Sequence, residues 1–189
     1  NSQGLIWSSI FNSRNSVNRL NQFLTAEAIT KDLNPEYGSI QLLHARDTDL
    51  IAFCEDKVLR ILASKDALYN ADGSTNITAS NAVLGQAMPY SGEFGISKNP
   101  ESFSNYGYQV YFTDKARGVV LRLSRDGLTL VSGKNMSSYF RDKLKLHTDK
   151  IIGSYDIHTR QYVLSFEGDE SLAFSETVDG WTSRLSFVP

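Results

Sequence analysis

The chain has 189 residues, 41% of them apolar, enough to bury one substantial core. Its 19 Lys and Arg against 21 Asp and Glu leave a net charge of −2, without the basic excess a dedicated nucleic-acid binder needs. A single cysteine, Cys54, excludes an internal disulfide framework and a zinc site built from several thiolates.

The first ten residues lack the basic start and long apolar core of a signal peptide. No apolar run approaches the roughly 18–20 residues of a membrane-spanning helix, so no membrane insertion is expected. From Val17 to Ala28, Val17, Leu20, Leu24 and Ala28 fall at helical spacing, a weak helix signal interrupted by asparagines. Beyond it the nine Tyr and ten Phe, with the β-branched residues, gather in short runs divided by Asp, Asn, Gly and Ser. That is strand-and-turn composition. Residues 39–45, 50–54 and 58–63 read as three antiparallel strands joined by polar turns. The segment Tyr69 to Asn81, rich in Asn, Ser, Thr and Gly, reads as an exposed loop.

The strand–turn–strand pattern recurs at 108–124 and 150–166. Asp56, Asp114 and Asp156 occupy its turns, about 40–60 residues apart, the spacing of successive propeller blades. Asp126-Gly127 after an apolar run marks a further turn. Asn135 to Leu146 departs from the pattern: Met136, Phe140 and Leu144 share a stripe, Ser137 or Asn135 can cap its start, and basic residues lie toward its end. One short helix is expected there. The fold expected is mainly β, a propeller-like arrangement of small antiparallel sheets with one short helix, the alternative being an irregular sandwich. Residues 1–189 form a single β-rich domain or, with no initiating Met and a β-run at the end, an internal segment of a longer chain.

Catalytic and metal chemistry finds little footing. His44, His147 and His158 lack ligand spacing, and no metal or cofactor is expected. Asn70 to Asn76 imitates a calcium loop, but aligning Gly73 with the loop glycine puts Leu68 and Ala79 where carboxylates are required. There is no nucleophile elbow and no phosphate loop. Cys54 lies inside an apolar run, the setting of a buried, inert thiol. Asn76 and Asn135 match glycosylation acceptors, which carry no weight without a secretory signal. Arg122 and Arg125 read as a solvated strand face, with pairing to Asp126 or to a neighbouring subunit as the alternative. Glu167, Asp169, Glu170, Glu176 and Asp179 form the best enzymatic hint, since glycosidases use paired carboxylates; acidic residues in a turn more commonly face water.

The segments Leu84–Phe103 and Tyr111–Leu128, with Asn34–Gln41, Arg46–Lys57 and Phe174–Trp181, resemble the large virion structural proteins of tailed bacteriophages, including crAss-like and related phages. The resemblance runs from about Asn12 to the C-terminus and rests on several separated motifs. It implies a propeller-like part of a tail assembly, similar to the nozzle or muzzle through which DNA is ejected, located in the virion tail. The partners it implies are portal or tail subunits and copies of the chain in a ring, with genomic DNA only in transit. It implies no catalytic, cofactor-binding or metal residue. The other classes are a propeller-type glycosidase or lyase fragment using the Glu167–Asp179 carboxylates, and a receptor- or carbohydrate-binding module using Tyr90, Tyr106 or Trp181.

Overall fold

The computed structural model describes residues 2–8, 11–12, 17–23, 29–46, 49–69 and 75–187. They form a mainly β structure of three four-stranded and two two-stranded antiparallel sheets with one α-helix. The two-stranded sheets pair β1 (Gly4–Ile6) with β4 (Thr30–Asp32), and β2 (Phe11–Asn12) with β3 (Val17–Asn18). Each four-stranded sheet is a meander in chain order. The first comprises β5 (Ile40–Arg46), β6 (Asp49–Cys54), β7 (Val58–Tyr69) and β8 (Thr75–Pro89). The second comprises β9 (Ser104–Tyr106), β10 (Gln109–Asp114), β11 (Val119–Ser124) and β12 (Gly127–Leu130), the third β13 (Ile151–Asp156), β14 (Gln161–Phe166), β15 (Ser171–Ser175) and β16 (Gly180–Leu185). Helix α1 (Ser137–Leu146) lies in the connection between the second and third sheets.

Strand alternation explains how the sheets stack, because successive side chains leave a strand on opposite faces. On β10, Val110 and Phe112 join Ile51, Phe53 and Val58 of the first sheet in one core cluster. Tyr111, between them, joins Tyr162, Leu164 and Phe174 of the third sheet, with Phe140 and Leu144 of α1, in another. On β6, Ala52 and Cys54 face away from the second sheet and pack with Leu59 and Ile61 against Leu5 and Leu33. The second and third strands of each four-stranded sheet are therefore largely buried on both faces. This accounts for near-continuous apolar runs such as residues 50–54 and 162–164.

Several expectations are corrected. Asp56 and Asp114 do sit at equivalent places, in or entering the β6–β7 and β10–β11 hairpins, but Asp156 ends β13 and begins the first hairpin of its sheet. Its counterpart in the third sheet is the β14–β15 turn, residues 167–170. Asp156 satisfies a local need instead, accepting from His158 N at 2.9 Å and Thr159 Oγ1 at 2.7 Å. Residues 75–81 are strand, since β7 and β8 stay paired out to Tyr69–Thr75, well beyond the Asp49–Leu62 pair where β6 stops. The Asp72-Gly73 turn falls outside the described residues. So do residues 24–28 of the weak helix signal, whose start is the strand β3 and a turn at Leu20. Helix α1 matches its apolar stripe, with Phe140 and Leu144 buried, but Met136 holds the N-cap position without a side-chain cap. Asn135, one residue before it, has a left-handed backbone, φ 62°.

Candidate functional site

Polar groups gather where the sheets meet. At the seam between the first and second sheets, Asp114 is wholly buried at the end of β10. A carboxylate there must be saturated with donors. It accepts from Gly95 N at 3.1 Å, Ser97 Oγ at 2.8 Å, Arg117 N at 3.1 Å and Arg117 Nη1 at 3.0 Å. Arg117 Nη1 also reaches Asp56 of the first sheet at 3.1 Å, so one guanidinium ties two successive hairpins together. The segment that supplies Gly95 and Ser97 runs from β8 to β9 and bonds to the β6–β7 turn, Ile96 N to Cys54 O and Ser97 N to Glu55 O, each 3.0 Å. A Cβ on Gly95 would stand 2.1 Å from Glu55 O, so only glycine permits this approach.

The seam between the second and third sheets is built from tyrosines. Tyr106 stacks on Tyr155 with centroids 4.3 Å apart, and Tyr111 on Tyr162 at 4.8 Å. Tyr111 OH donates to Glu176, which also pairs with Arg122 at 2.5 Å. Asn99 Nδ2 spans the same seam, donating to Thr113 Oγ1 at 3.1 Å and Ile151 O at 3.3 Å. Ser102 O accepts from Tyr162 OH at 2.9 Å and would lie 2.0 Å from a Cβ on Gly153.

Of the acidic residues, Glu167, Asp169 and Glu170 share the β14–β15 turn, and Glu176 and Asp179 lie beyond the far end of β15. Glu167 Oε2 accepts from Lys150 N at 3.2 Å, repeating in the third sheet the bond from Ser39 N to Glu55 Oε1, 3.2 Å, in the first. Asp169 pairs with Lys143, and Asp179 with Lys134. Glu170, its side chain 8% exposed, receives Tyr139 OH, Lys143 Nζ at 3.0 Å and Arg184 Nε. Burial works to raise its carboxyl, but the Tyr139 and Lys143 hydrogen bonds and the Lys143 and Arg184 charges outweigh it and hold the group below the usual carboxylate range. Asp169 is likewise held low, chiefly by its bond from Lys143. A general acid needs the opposite shift. Glu170 and Glu176, moreover, stand at the two ends of β15, about 20 Å apart at strand rise, against the roughly 5–10 Å of a glycosidase pair. Asp169 and Glu170 do come together, on the shared Lys143, but both are held in the charged form and paired, so neither is poised as a general acid.

The remaining candidates are placed as follows. His44 tilts against Phe103 at 5.3 Å and is held below the usual imidazole range by burial and by Arg46. His147 sets its ring edge-on to Phe166 at 5.2 Å, and His158 lies in the exposed β13–β14 turn. Among the described residues, no three His, Cys, Asp or Glu side chains cluster as metal ligands would. Burial pushes the Cys54 thiol up to about 11, far from a reactive thiolate. Arg122 pairs across the seam with Glu176 rather than with Asp126, and Arg125 lies over the Tyr108 ring, 3.9 Å from its centroid. Of the three aromatics singled out, Tyr106 is 41% exposed, while Tyr90 and Trp181 are half-buried against core clusters. Trp181 is fixed by a bond from its Nε1 to Val131 O, 3.1 Å, and lines a cleft of about 300 Å³ between the start of α1 and β16.

Sequence reasoning named Asp114 as a turn residue in a charged stretch with Lys115 and Arg117, and reached Gly95, Ser97 and Asn99 only within the Leu84–Phe103 segment of the resemblance, with no role for them. An aspartate ending an apolar strand with Arg117 three residues later was the available signal. Among the described residues, no helix is long and apolar enough to cross a membrane. No protein-family model matches this chain, and no curated protein is significantly similar to it.

Proposed function

We propose that the chain is a non-enzymatic structural component of a bacteriophage virion, part of a ring-forming tail element of the nozzle or muzzle kind through which DNA is ejected. The observation that carries this reading is the stack of three consecutive four-stranded meanders, joined by polar seams whose carboxylates are occupied in holding sheets together. Most of the motifs that resemble virion proteins lie within those sheets and their connections, and Asn34–Gln41 leads into the first of them. A tail ring must be rigid and must pack repeatedly about an axis, which suits such a scaffold.

We infer further that the sheets are successive blades of a propeller-like arc. Supporting this are their chain order, their face-to-face packing, and the contact between β9 and β13, the first strands of neighbouring sheets. The paired, low-lying Glu170 and Asp169 weigh against the glycosidase alternative.

The test is immunogold labelling of purified virions with antibodies to this chain, together with negative-stain microscopy of the purified full-length product. Label at the tail and ring-shaped particles are expected. Protein abundant in infected cells but absent from virions would overturn the reading, as would turnover of a host-envelope polysaccharide that is lost on changing Glu167, Asp169 and Glu170 to Gln, Asn and Gln.

A further inference from the structure

We propose that the cleft between α1 and β16 is a binding site for a neutral pyranose sugar, a role separate from assembly and independent of it. The cleft, about 300 Å³, is at the small end of ligand sites and matches a single sugar ring better than a larger ligand. The apolar part of the lining is Met136, Leu172 and the rings of Tyr139 and Trp181. The polar part of the lining is Glu170 and Arg184, in contact with each other, with Thr182 and Ser183.

Two features select the ligand's chemistry. The first is charge. Asp169 and Glu170 are balanced by Lys143 and Arg184 in one network, so the site offers no net charge to hold a free anion or cation. The second is unused hydrogen-bonding capacity. An ionised carboxylate has about four acceptor positions, of which Tyr139, Lys143 and Arg184 occupy three. The Arg184 guanidinium has about five donors and its side chain is 74% exposed, leaving N–H groups beyond the one on Glu170. A hydroxyl that donates to Glu170 while accepting from Arg184 satisfies both. A ligand with hydroxyls on its rim and an apolar C–H face for Trp181 and Tyr139 is a pyranose. Trp181 is held in place for that contact by Val131 O and by Phe140, 4.5 Å away, so little ordering of the ring is required on binding.

The chain has two tryptophans, Trp7 and Trp181, so the Trp7→Phe protein reports from the cleft alone. Its fluorescence is titrated with the methyl glycosides of glucose, galactose, mannose and N-acetylglucosamine, with glycerol and sodium acetate as controls. A saturable change with one glycoside at about millimolar concentration is expected, the affinity of a small ligand with few contacts. Arg184→Ala, which leaves Tyr139 and Lys143 on Glu170 and is checked for an unchanged circular-dichroism spectrum, should weaken it roughly ten-fold, the loss expected for a hydrogen bond to a charged group. Trp181→Ala would remove the wall but also strips contacts from Phe140 and Phe174, so Arg184→Ala is the deciding variant. No saturable response to any glycoside up to about 100 mM, a scale far weaker than specific sites reach, overturns the proposal. So does a response that Arg184→Ala leaves unchanged, or one that acetate reproduces.

Discussion

The two seams do the same mechanical task with different chemistry. Between the first and second sheets the core is phenylalanine and aliphatic, and the polar lock is a carboxylate that water does not reach, Asp114. Between the second and third sheets the core is a run of stacked tyrosines, and the lock is a half-open pair, Arg122 and Glu176, with 21% and 26% of their side chains exposed. A buried carboxylate with four donors is all-or-none, because removing either partner leaves an uncompensated polar group in the interior. A half-open pair exchanges its partner for water at small cost. The first seam is therefore expected to fail cooperatively and the second to loosen by degrees.

The largest contrast tests this directly. Asp114→Ala should cost about 3 kcal/mol or more, the range for breaking a buried pair, and lower the melting temperature by roughly 6–12 °C for a chain of this size. Glu176→Ala should cost about 1 kcal/mol. Equal losses in thermal denaturation would erase the distinction between the seams. Next are the glycines at the two close backbone approaches. Gly95→Ala and Gly153→Ala each force a methyl onto a carbonyl oxygen, at 2.1 and 2.0 Å, and should lose at least the roughly 1–3 kcal/mol of overpacking. A urea midpoint at the wild-type value in either variant would show that its seam has slack.

Smaller still is Tyr106→Ala, which removes one stacked ring from the edge of the tyrosine seam. About 0.5–1.5 kcal/mol is expected beyond the lost burial, read as an increase in unfolding rate. The smallest effect concerns the third sheet's own lock. Glu170 and Asp169 are held below their usual range, so their contribution is present above the unfolded values, about 4.3 and 3.9, and is lost as pH falls through the lower folded values. The urea midpoint should be flat above about pH 5 and decline below about pH 4, and Glu170→Gln should flatten that decline. An identical acid decline in the variant would place the titrating groups elsewhere.

Much of this architecture is written in the chain locally. The largely apolar runs at 50–54, 119–123 and 162–164 announce strands because most of their residues are buried, and the Met136, Phe140 and Leu144 stripe announces α1 because that helix has one buried face. What was hidden depends on partners distant in sequence. Residues 75–81 look like loop by composition, yet are held as strand by pairing with β7, which their Asn, Ser and Thr content does not reveal. Asp156 resembles Asp56 in sequence context but serves its own turn, while Asp114 resembles both and is buried beneath a segment contributed by Gly95 and Ser97. For the acidic residues, the sequence shows their proximity along the chain. It does not show that a strand separates Glu170 from Glu176, or that α1 supplies the lysine and tyrosine that engage Glu170.

The connections between sheets carry one further consequence, for the order of folding. The segment from Tyr90 to Phe103 leaves the first sheet, bonds to its β6–β7 turn, and then supplies Gly95 and Ser97 to the aspartate of the second sheet. The segment from Val131 to Lys150 does the equivalent between the second and third, bonding to β11 through Val131 and to the β14–β15 turn through Lys150. Each linker is thus also the mortar of the joint it crosses. A sheet emerging during synthesis finds its docking surface already in place on the sheet before it, and the linker shortens the search for it, so growth can proceed from the N-terminal side one meander at a time. Such a chain keeps its unpaired edges exposed for the time needed to make one sheet rather than three, which limits mispairing between strands of different sheets and different chains.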